Sequence, residues 1–188
     1  MATAIDVAQY IYDKLGWIDS WRLAKLTYYS QAWSLGWYGR SMVAEEFQAW
    51  SDGPVEPNLH SENKYHRSSP TSTNLPSADI ERLSDADKAV IDSVLDFYGS
   101  FSKQELIDQT HAETPWREAR AGVADGERSK TPLSQSSMKA FYALQEIQGN
   151  SVPIRPKLPT ENPAADVREK LFGTAERWKA ALDLLADK

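Results

Sequence analysis

The 188-residue sequence has no cysteine and only nine glycines. Without cysteine the chain can form no disulfide, no cysteine-ligated zinc or iron–sulfur centre, and no thiol nucleophile. The glycines are scattered, so neither glycine-rich phosphate-binding pattern, GxxxxGK[ST] or GxGxxG, occurs. The GxSxG pattern of a serine nucleophile is also missing. The sequence therefore gives little support to an enzyme, and we expect no cofactor.

Long apolar runs and an excess of basic residues are absent as well. No stretch approaches the roughly 18 apolar residues of a membrane helix, and the start MATAIDVAQY lacks a basic region followed by an apolar one. We therefore expect a cytoplasmic protein with no membrane partner. The 21 Lys+Arg face 27 Asp+Glu, a net charge of −6. This acidity makes nucleic acid an unlikely partner, since phosphate binding needs a basic surface.

Aromatic residues are abundant, and five of the seven tryptophans lie within the first fifty positions. Leu23, Leu26 and Trp33 recur at helical spacing, a pattern typical of a core face. Trp17, Trp37 and Tyr38 lie near predicted helix ends, where we expect partial exposure. Exposed Trp and Tyr are enriched at interface hot spots, and Trp37 and Tyr38 are therefore candidate partner contacts.

Capping residues predict where the helices begin. Side chains of Ser, Thr, Asp and Asn accept hydrogen bonds from the first free backbone N–H groups of a helix. An acidic side chain three residues after such a cap can complete a capping box. The predicted starts lie at Thr3 or Asp6, at Asp19 or Ser20, at Ser84 with Asp87, at Ser102 with Glu105, at Thr114 before Pro115, and at Ser134. Gly99 is expected to end the helix that precedes it as a C′ residue.

The segment around Asp52-Gly53-Pro54 has strong turn chemistry. Short strands are predicted on either side, around 47–50 and near Val55, and Pro57 is expected in the first turn of another helix. The polar, proline-containing stretch 67–79 predicts an exposed loop. The fold class that follows is mostly α, a compact helical domain with at most one short β-hairpin.

The chain is predicted to divide at its proline-rich segment. We expect a main domain over 1–149, a semi-rigid connector over 150–163 and a C-terminal amphipathic helix over 164–188. That helix would carry one apolar stripe, which must be buried either on the chain's own body or on a partner. The stripe comprises Val167, Leu171, Ala175, Trp178, Leu182 and Leu185.

The histidines are the remaining candidates for chemistry. His60 and His66 with Glu62 match no established zinc spacing and lie beside a polar loop, so we expect solvated surface and no metal. His111 and Glu113, two residues apart, could serve acid–base catalysis. The alternative is that His111 caps or hydrogen-bonds the 111–115 turn while Trp116 packs in the core, and we expect this structural role.

Four segments in order resemble a known family. The runs VAQYI, WRLAKLTYYSQAWSL, FQAWSDGPVEPNL and LSDADKAVIDSVLDFYGSFSKQELIDQTHAETPWREAR are similar to the Panacea domain, the antitoxin domain of SocA-like and GepA-like proteins of bacteria and phages. The resemblance runs from about Asp6 to Tyr142. Asp52 departs from it, since an aromatic residue commonly precedes the Gly-Pro-Val turn in the family. The matching motif residues are Lys25, Leu26, Tyr28, Tyr29, Ala49, Trp50, Gly53, Pro54, Val55, Thr110, His111, Glu113, Pro115 and Trp116.

The resemblance implies a non-enzymatic antitoxin with a role in phage defence, which neutralises a cognate toxin from a neighbouring gene by direct binding. Several toxins of such pairs inhibit translation, and many toxins acting on RNA are basic, which suits the acidic body. Alternatives are an adaptor that delivers the toxin to a ClpXP-type protease, a DNA-binding regulator, or a metal-assisted hydrolase using His111 and Glu113. The candidate toxin contacts are Trp37, Tyr38, Asp52, Leu171, Trp178 and Leu182.

Overall fold

A computed structural model describes residues 1–158, and Met1–Pro156 form one compact unit. The fold is mostly α with a single two-stranded hairpin in the described part, as the sequence predicts. The elements are α1 (Ala4–Leu15), α2 (Ser20–Tyr38), β1 (Gln48–Trp50), β2 (Gly53–Val55), α3 (Pro57–Ser61), a π-helical turn (Glu62–His66), a 3₁₀ turn (Ile80–Arg82), α4 (Asp85–Tyr98), α5 (Lys103–Ala112), α6 (Thr114–Ala119) and α7 (Gln135–Ile147).

Helix α2 is the centre of the fold. Fourteen of its 19 residues are buried, so most of the helix is surrounded by its own chain. Helices α1, α4, α5 and α7 and strand β2 pack around it. The predicted core residues Leu23, Leu26 and Trp33 are all buried on this helix.

The predicted helix starts are largely confirmed. Capping boxes form at Thr3 with Asp6, at Ser84 with Asp87 and at Ser102 with Glu105. The carboxylate of Asp19 accepts hydrogen bonds from two backbone N–H groups of α2, and Ser134 caps α7. Each of these contacts joins residues at most three positions apart, so the local sequence is enough to predict them.

Two predictions at helix ends are wrong. The N-cap of α6 is Glu113 and not Thr114, which is the first residue of the helix. The Glu113 side chain makes no capping bond, because it points into the core instead. Gly99 does follow the last residue of α4, but its φ of −63° is ordinary right-handed backbone. The helix therefore ends there without the left-handed conformation for which a C′ glycine is selected.

The predicted hairpin is confirmed and has a third backbone segment beside it. Strands β1 and β2 are antiparallel, with Ala49 opposite Pro54 and Trp50 opposite Gly53. On the other edge of β1, the Ala49 N–H donates to the carbonyl of Thr131 at 2.9 Å. Leu133 N–H likewise donates to Phe47 O at 2.8 Å. The chain leading into α7 thus protects the outer edge of the hairpin.

The loop over 67–79 contains no helix or strand, as predicted, and most of it is exposed. It is nevertheless anchored, because Leu75 is buried and its N–H donates to the Gln9 side chain at 2.8 Å. Asp79 N–H donates to the carboxylate of Asp6 at 2.7 Å. The prediction of an exposed loop is therefore wrong at Leu75.

The predicted C-terminal helix over 164–188 lies outside the described residues, as does the second part of the predicted connector. Residues 150–158 contain neither helix nor strand. Among the helices of residues 1–158, none is both long enough and apolar enough to cross a bilayer. The proposed domain limits therefore stay a prediction from the sequence.

Candidate functional site

The motif residues predicted from the sequence meet around the β-hairpin, beginning with Lys25. This lysine lies on α2 beneath β2, fully buried, and its Nζ donates to the carbonyl of Pro54 at 3.1 Å. Burial lowers the pKa of Lys25 to about 7, and the nearby carboxylates of Asp52 and Asp19 oppose part of that shift. A substantial fraction of Lys25 is therefore a neutral amine near pH 7.

Gly53 allows the turn to approach Lys25 this closely. Its φ is +97°, a conformation that residues with a side chain rarely adopt. A Cβ at this position would lie 2.5 Å from Lys25 Cε and 2.7 Å from Thr110 Oγ1. The Gly-Pro-Val turn, the lysine of α2 and the threonine of α5 thus form one close-packed unit.

Side chains from α6 and the segment after it hold the other strand of the hairpin. Trp116 Nε1 donates to the carbonyl of Trp50 at 3.0 Å. Arg120 is buried and donates to Ala49 O at 3.1 Å, and to two further carbonyls of its own loop. Both strand carbonyls are thereby satisfied by side chains of a single short region.

The imidazole of His111 stacks on Trp116, with ring centroids 3.9 Å apart and planes at 14°. Its Nε2 is buried and has no hydrogen-bond partner among the described residues. Burial, and next the charge of Lys25, lower the pKa of His111, so the ring is neutral at pH 7. The predicted hydrogen bond to the 111–115 turn is wrong, since the ring is held by stacking. Trp116 packs against the core, as predicted.

Glu113 faces away from His111, into a cluster of tyrosines. Its carboxylate accepts hydrogen bonds from Tyr142 at 2.5 Å, from Tyr29 at 3.2 Å and from Gln109 at 3.4 Å. Burial raises the pKa of Glu113 to about 7 despite these donors. Tyr29 in turn stacks on Tyr98, with centroids 4.1 Å apart. His111 and Glu113 thus have separate partners, and no hydrogen bond joins them in the described structure.

A pocket of about 360 Å³ opens on the outer side of the hairpin. Its walls include Trp21, Trp50 and His60, with Ala24 and Lys25 of α2 at its base. Trp50 and His60 contact each other edge to face, with centroids 4.9 Å apart. Such an apolar cavity with a few polar groups is a common form of binding site.

Charged groups surround one wall of this pocket. Trp21 Nε1 donates to the carboxylate of Asp52 at 3.1 Å, and the ammonium of Lys103 lies 3.5 Å from the centroid of the Trp21 ring. Lys64 lines the pocket from the π-helical turn. Burial, and then Lys64, lower the pKa of His60, which is therefore neutral at pH 7. Asp52, predicted as a toxin contact, is exposed at this rim.

The other predicted toxin contacts lie elsewhere. Trp37 is only 4% exposed, and its ring packs against Trp33 with centroids 4.9 Å apart, so the predicted exposure of Trp37 is wrong. Tyr38 is half-buried, donates to the carbonyl of Pro156 and has the guanidinium of Arg155 4.8 Å from its ring centroid. Leu171, Trp178 and Leu182 lie outside the described residues.

The histidine-rich segment after the hairpin shows no metal site. His66 Nδ1 lies 2.8 Å from a carboxylate oxygen of Glu62, whose other oxygen accepts the Ser77 N–H at 2.7 Å. Glu62 is buried, so the prediction of solvated surface is wrong for that residue. Within 1–158 no group of three or more His, Asp and Glu side chains is placed to hold a metal ion.

Sequence reasoning missed four residues of this region: Trp21, Lys64, Lys103 and Arg120. Trp21 is the second residue of α2, and side chains at the start of a helix are often exposed. Its position in the sequence could therefore have predicted its exposure. Lys64 and Lys103 are ordinary surface lysines in the sequence, and Arg120 is one of several arginines in a polar stretch. Only the folded chain brings them to the hairpin.

A comparison with models of protein families finds a match. Residues 23–117 match a family model described as "Antitoxin SocA-like, Panacea domain". The matched segment contains α2, the hairpin, Lys25, Gly53 and Glu113, and ends one residue after Trp116. Neither a search of curated proteins nor a search of solved structures finds a match.

Proposed function

The chain belongs to the SocA-like antitoxin family with a Panacea domain, since the matched residues make up half of it, and we propose that it neutralises a cognate toxin by binding it directly. Family membership indicates a role in a toxin–antitoxin pair. Beyond that role, we propose that the two proteins form a stoichiometric complex. We also propose that the toxin inhibits translation and is encoded by a neighbouring gene. The match over residues 23–117 is the observation that carries the proposal.

A binding role also agrees with how the chain uses its ionisable motif residues. Lys25 and Glu113 are buried, and His111 is stacked on Trp116. These three side chains therefore support the hairpin and the tyrosine cluster. In our proposal the motif maintains the fold, and the surface above the hairpin is available to a protein partner.

The charge of the chain supports a basic toxin. Residues 151–188 contain seven Lys+Arg and six Asp+Glu, so the remaining 150 residues contain 14 and 21, a net charge of −7. A field of one sign accelerates encounter with an oppositely charged protein and disfavours wrong partners. We therefore propose that the acidic body steers a basic toxin toward the complex.

Co-expression tests this proposal. The neighbouring gene is placed under one inducible promoter and the gene for this chain under another, and growth and incorporation of labelled methionine are followed. We expect the neighbouring gene alone to stop both, and co-expression to restore both, with one complex of fixed stoichiometry in light scattering. A neighbouring product that is harmless alone, or still lethal beside soluble antitoxin, would show that the proposal is wrong.

The same experiment in a host without ClpXP separates direct binding from delivery to a protease. An antitoxin that acts by binding protects both hosts, and the toxin level stays constant. An adaptor protects only the host that has the protease, because neutralisation then requires degradation of the toxin. Protection confined to that host would replace our proposal with the adaptor alternative.

A further inference from the structure

The pocket beside the hairpin is not filled by any side chain of the described residues. Its volume of about 360 Å³ lies in the range of ligand-binding clefts and is large enough to admit an aromatic side chain. Ala24 at its base and Val55 in its wall present small apolar surfaces, and Trp21 is 41% exposed at its edge. Interface hot spots are enriched in tryptophan and cluster in well-packed pockets that exclude water.

An exposed surface continues from the pocket. Ser20 and Lys64 line both the pocket and an adjoining groove that reaches Pro70. Trp17 lies at Pro70, to whose carbonyl its Nε1 donates at 3.1 Å, and it is 52% exposed. Two exposed tryptophans, Trp21 and Trp17, thus lie along one continuous surface.

The pocket brings lysine side chains together on a body whose net charge is negative. Lys64 lines the pocket, the buried Lys25 lies at its base, and the ammonium of Lys103 lies over the Trp21 ring at its edge. One carboxylate, that of Asp52, also lines the pocket and accepts the Trp21 N–H. The 150-residue body has a net charge of −7. A carboxylate on a partner would therefore be attracted to Lys64, while the net negative charge of the body disfavours it elsewhere.

We propose that this pocket is the anchor site for the toxin, and that it receives an aromatic side chain of the toxin with an acidic residue beside it. The inference rests on the proposed antitoxin function. The aromatic ring would pack between Trp21 and Trp50, and the carboxylate would pair with Lys64 at the rim. A basic toxin with one acidic–aromatic anchor would be steered by the body and oriented by the pocket, since complementary charges fix register.

Filling the pocket tests the anchor. The substitution Ala24→Phe adds a ring at the base of the pocket and leaves the hairpin contacts in place. The matched control is Ala140→Phe, an exposed position in a different groove, on α7. With the purified product of the neighbouring gene as probe, we expect Ala24→Phe to raise Kd by at least about tenfold, as for a hot-spot contact. The control should bind like the original chain.

Reversing the rim charge is a second test that leaves the core untouched. Lys64→Glu should weaken binding to the same probe, because it reverses the charge at the rim. Lys64→Arg should preserve binding, because it keeps the positive charge. Lys130→Glu, an equal charge reversal at another exposed lysine, should have little effect. Thermal unfolding of every variant is the check that each is folded.

The outcomes separate the two proposals. If the original chain neutralises the toxin while Ala24→Phe and Lys64→Glu bind normally, the anchor site is wrong and the antitoxin function stands. If amide exchange on toxin binding slows in α7 and not in segments 20–25 and 48–66, the anchor is also wrong. If the original chain does not bind the neighbouring product, both proposals are wrong.

Discussion

Lys25 and Glu113 are buried ionisable side chains that form no salt bridge within the described residues. Each is charged in water, and removal from water favours its neutral form. Burial therefore moves both pKa values toward 7, downward for Lys25 and upward for Glu113. The two motif residues consequently make the stability of the protein depend on pH in its physiological range.

For Glu113 the expected dependence can be isolated with Glu113→Gln. The folded chain holds the Glu113 proton up to a pKa of about 7, whereas the unfolded chain releases it near 4.5. Stability from this group is therefore greatest at low pH and falls as pH rises between those values. Because glutamine stays neutral, the free energy of unfolding of the variant should rise relative to that of the original chain across that window, by on the order of 3 kcal/mol once the pH exceeds 7.

Urea unfolding from pH 4.5 to 8 measures this difference, and all other titrating groups cancel in the comparison. Gln104→Glu adds a carboxylate at an exposed position of α5 and is the control for a simple change of net charge. A difference between Glu113→Gln and the original chain that stays constant over the whole range would contradict the predicted shift.

Gly53 is a second residue whose replacement the structure predicts to be destabilising. Gly53→Ala would combine a left-handed φ with a Cβ at 2.5 Å from Lys25 Cε, and either backbone or lysine would have to shift. We expect a loss of about 1–3 kcal/mol in urea unfolding. Gly122→Ala is the matched control, since Gly122 has φ +82° but no heavy atom within 4 Å. If both variants lose the same free energy of unfolding, the close approach of Gly53 to Lys25 makes no contribution to the loss.

Among the helices and strands, the features that can be predicted from the sequence are those that depend on contacts between neighbouring residues. The caps at Asp19, Ser84 and Ser102 each involve neighbours within three positions, so these helix starts were predicted correctly. The pocket wall joins Trp21, Trp50 and Lys64, which come from three separate elements, and no local pattern brings them together. The predicted exposure of Trp37 is wrong for the same reason, because tertiary packing buries a side chain near the end of α2 that the sequence alone leaves exposed.

The packing of α7 on α2 gives a prediction at this scale. A Cβ on Gly36 would lie 2.6 Å from Tyr142 Cβ and 3.1 Å from the backbone N of Ala143, so α7 would have to move away. Helix propensity alone would make Gly36→Ala stabilising by up to about 1 kcal/mol. We expect the opposite, a loss of about 1–3 kcal/mol, since overpacking displaces a whole helix. A variant that unfolds at the same or higher urea concentration would show that the two helices can separate without cost.

At the scale of the whole molecule, the charge is divided between the body and the C-terminal segment. The acidity resides in the first 150 residues, whereas residues 151–188 are nearly neutral, with seven basic and six acidic side chains. Electrostatic steering by the body is therefore a separate contribution from any apolar contact made by the C-terminal stripe. Salt weakens the first and leaves the second largely unchanged.

The C-terminal stripe gives the last prediction, which belongs to the complete chain with its toxin. Trp178→Asp with Leu182→Asp puts two charges on the apolar stripe predicted from the sequence, and neutralisation should be lost if that stripe clamps the toxin. Gly173→Asp with Ala180→Asp adds the same charge on the opposite face of the predicted helix and should still protect. Growth during toxin co-expression and the apparent Kd measure both variants at low and high salt. A stripe variant that is folded and fully protective would show that the clamp is wrong and leave the pocket beside the hairpin as the anchor.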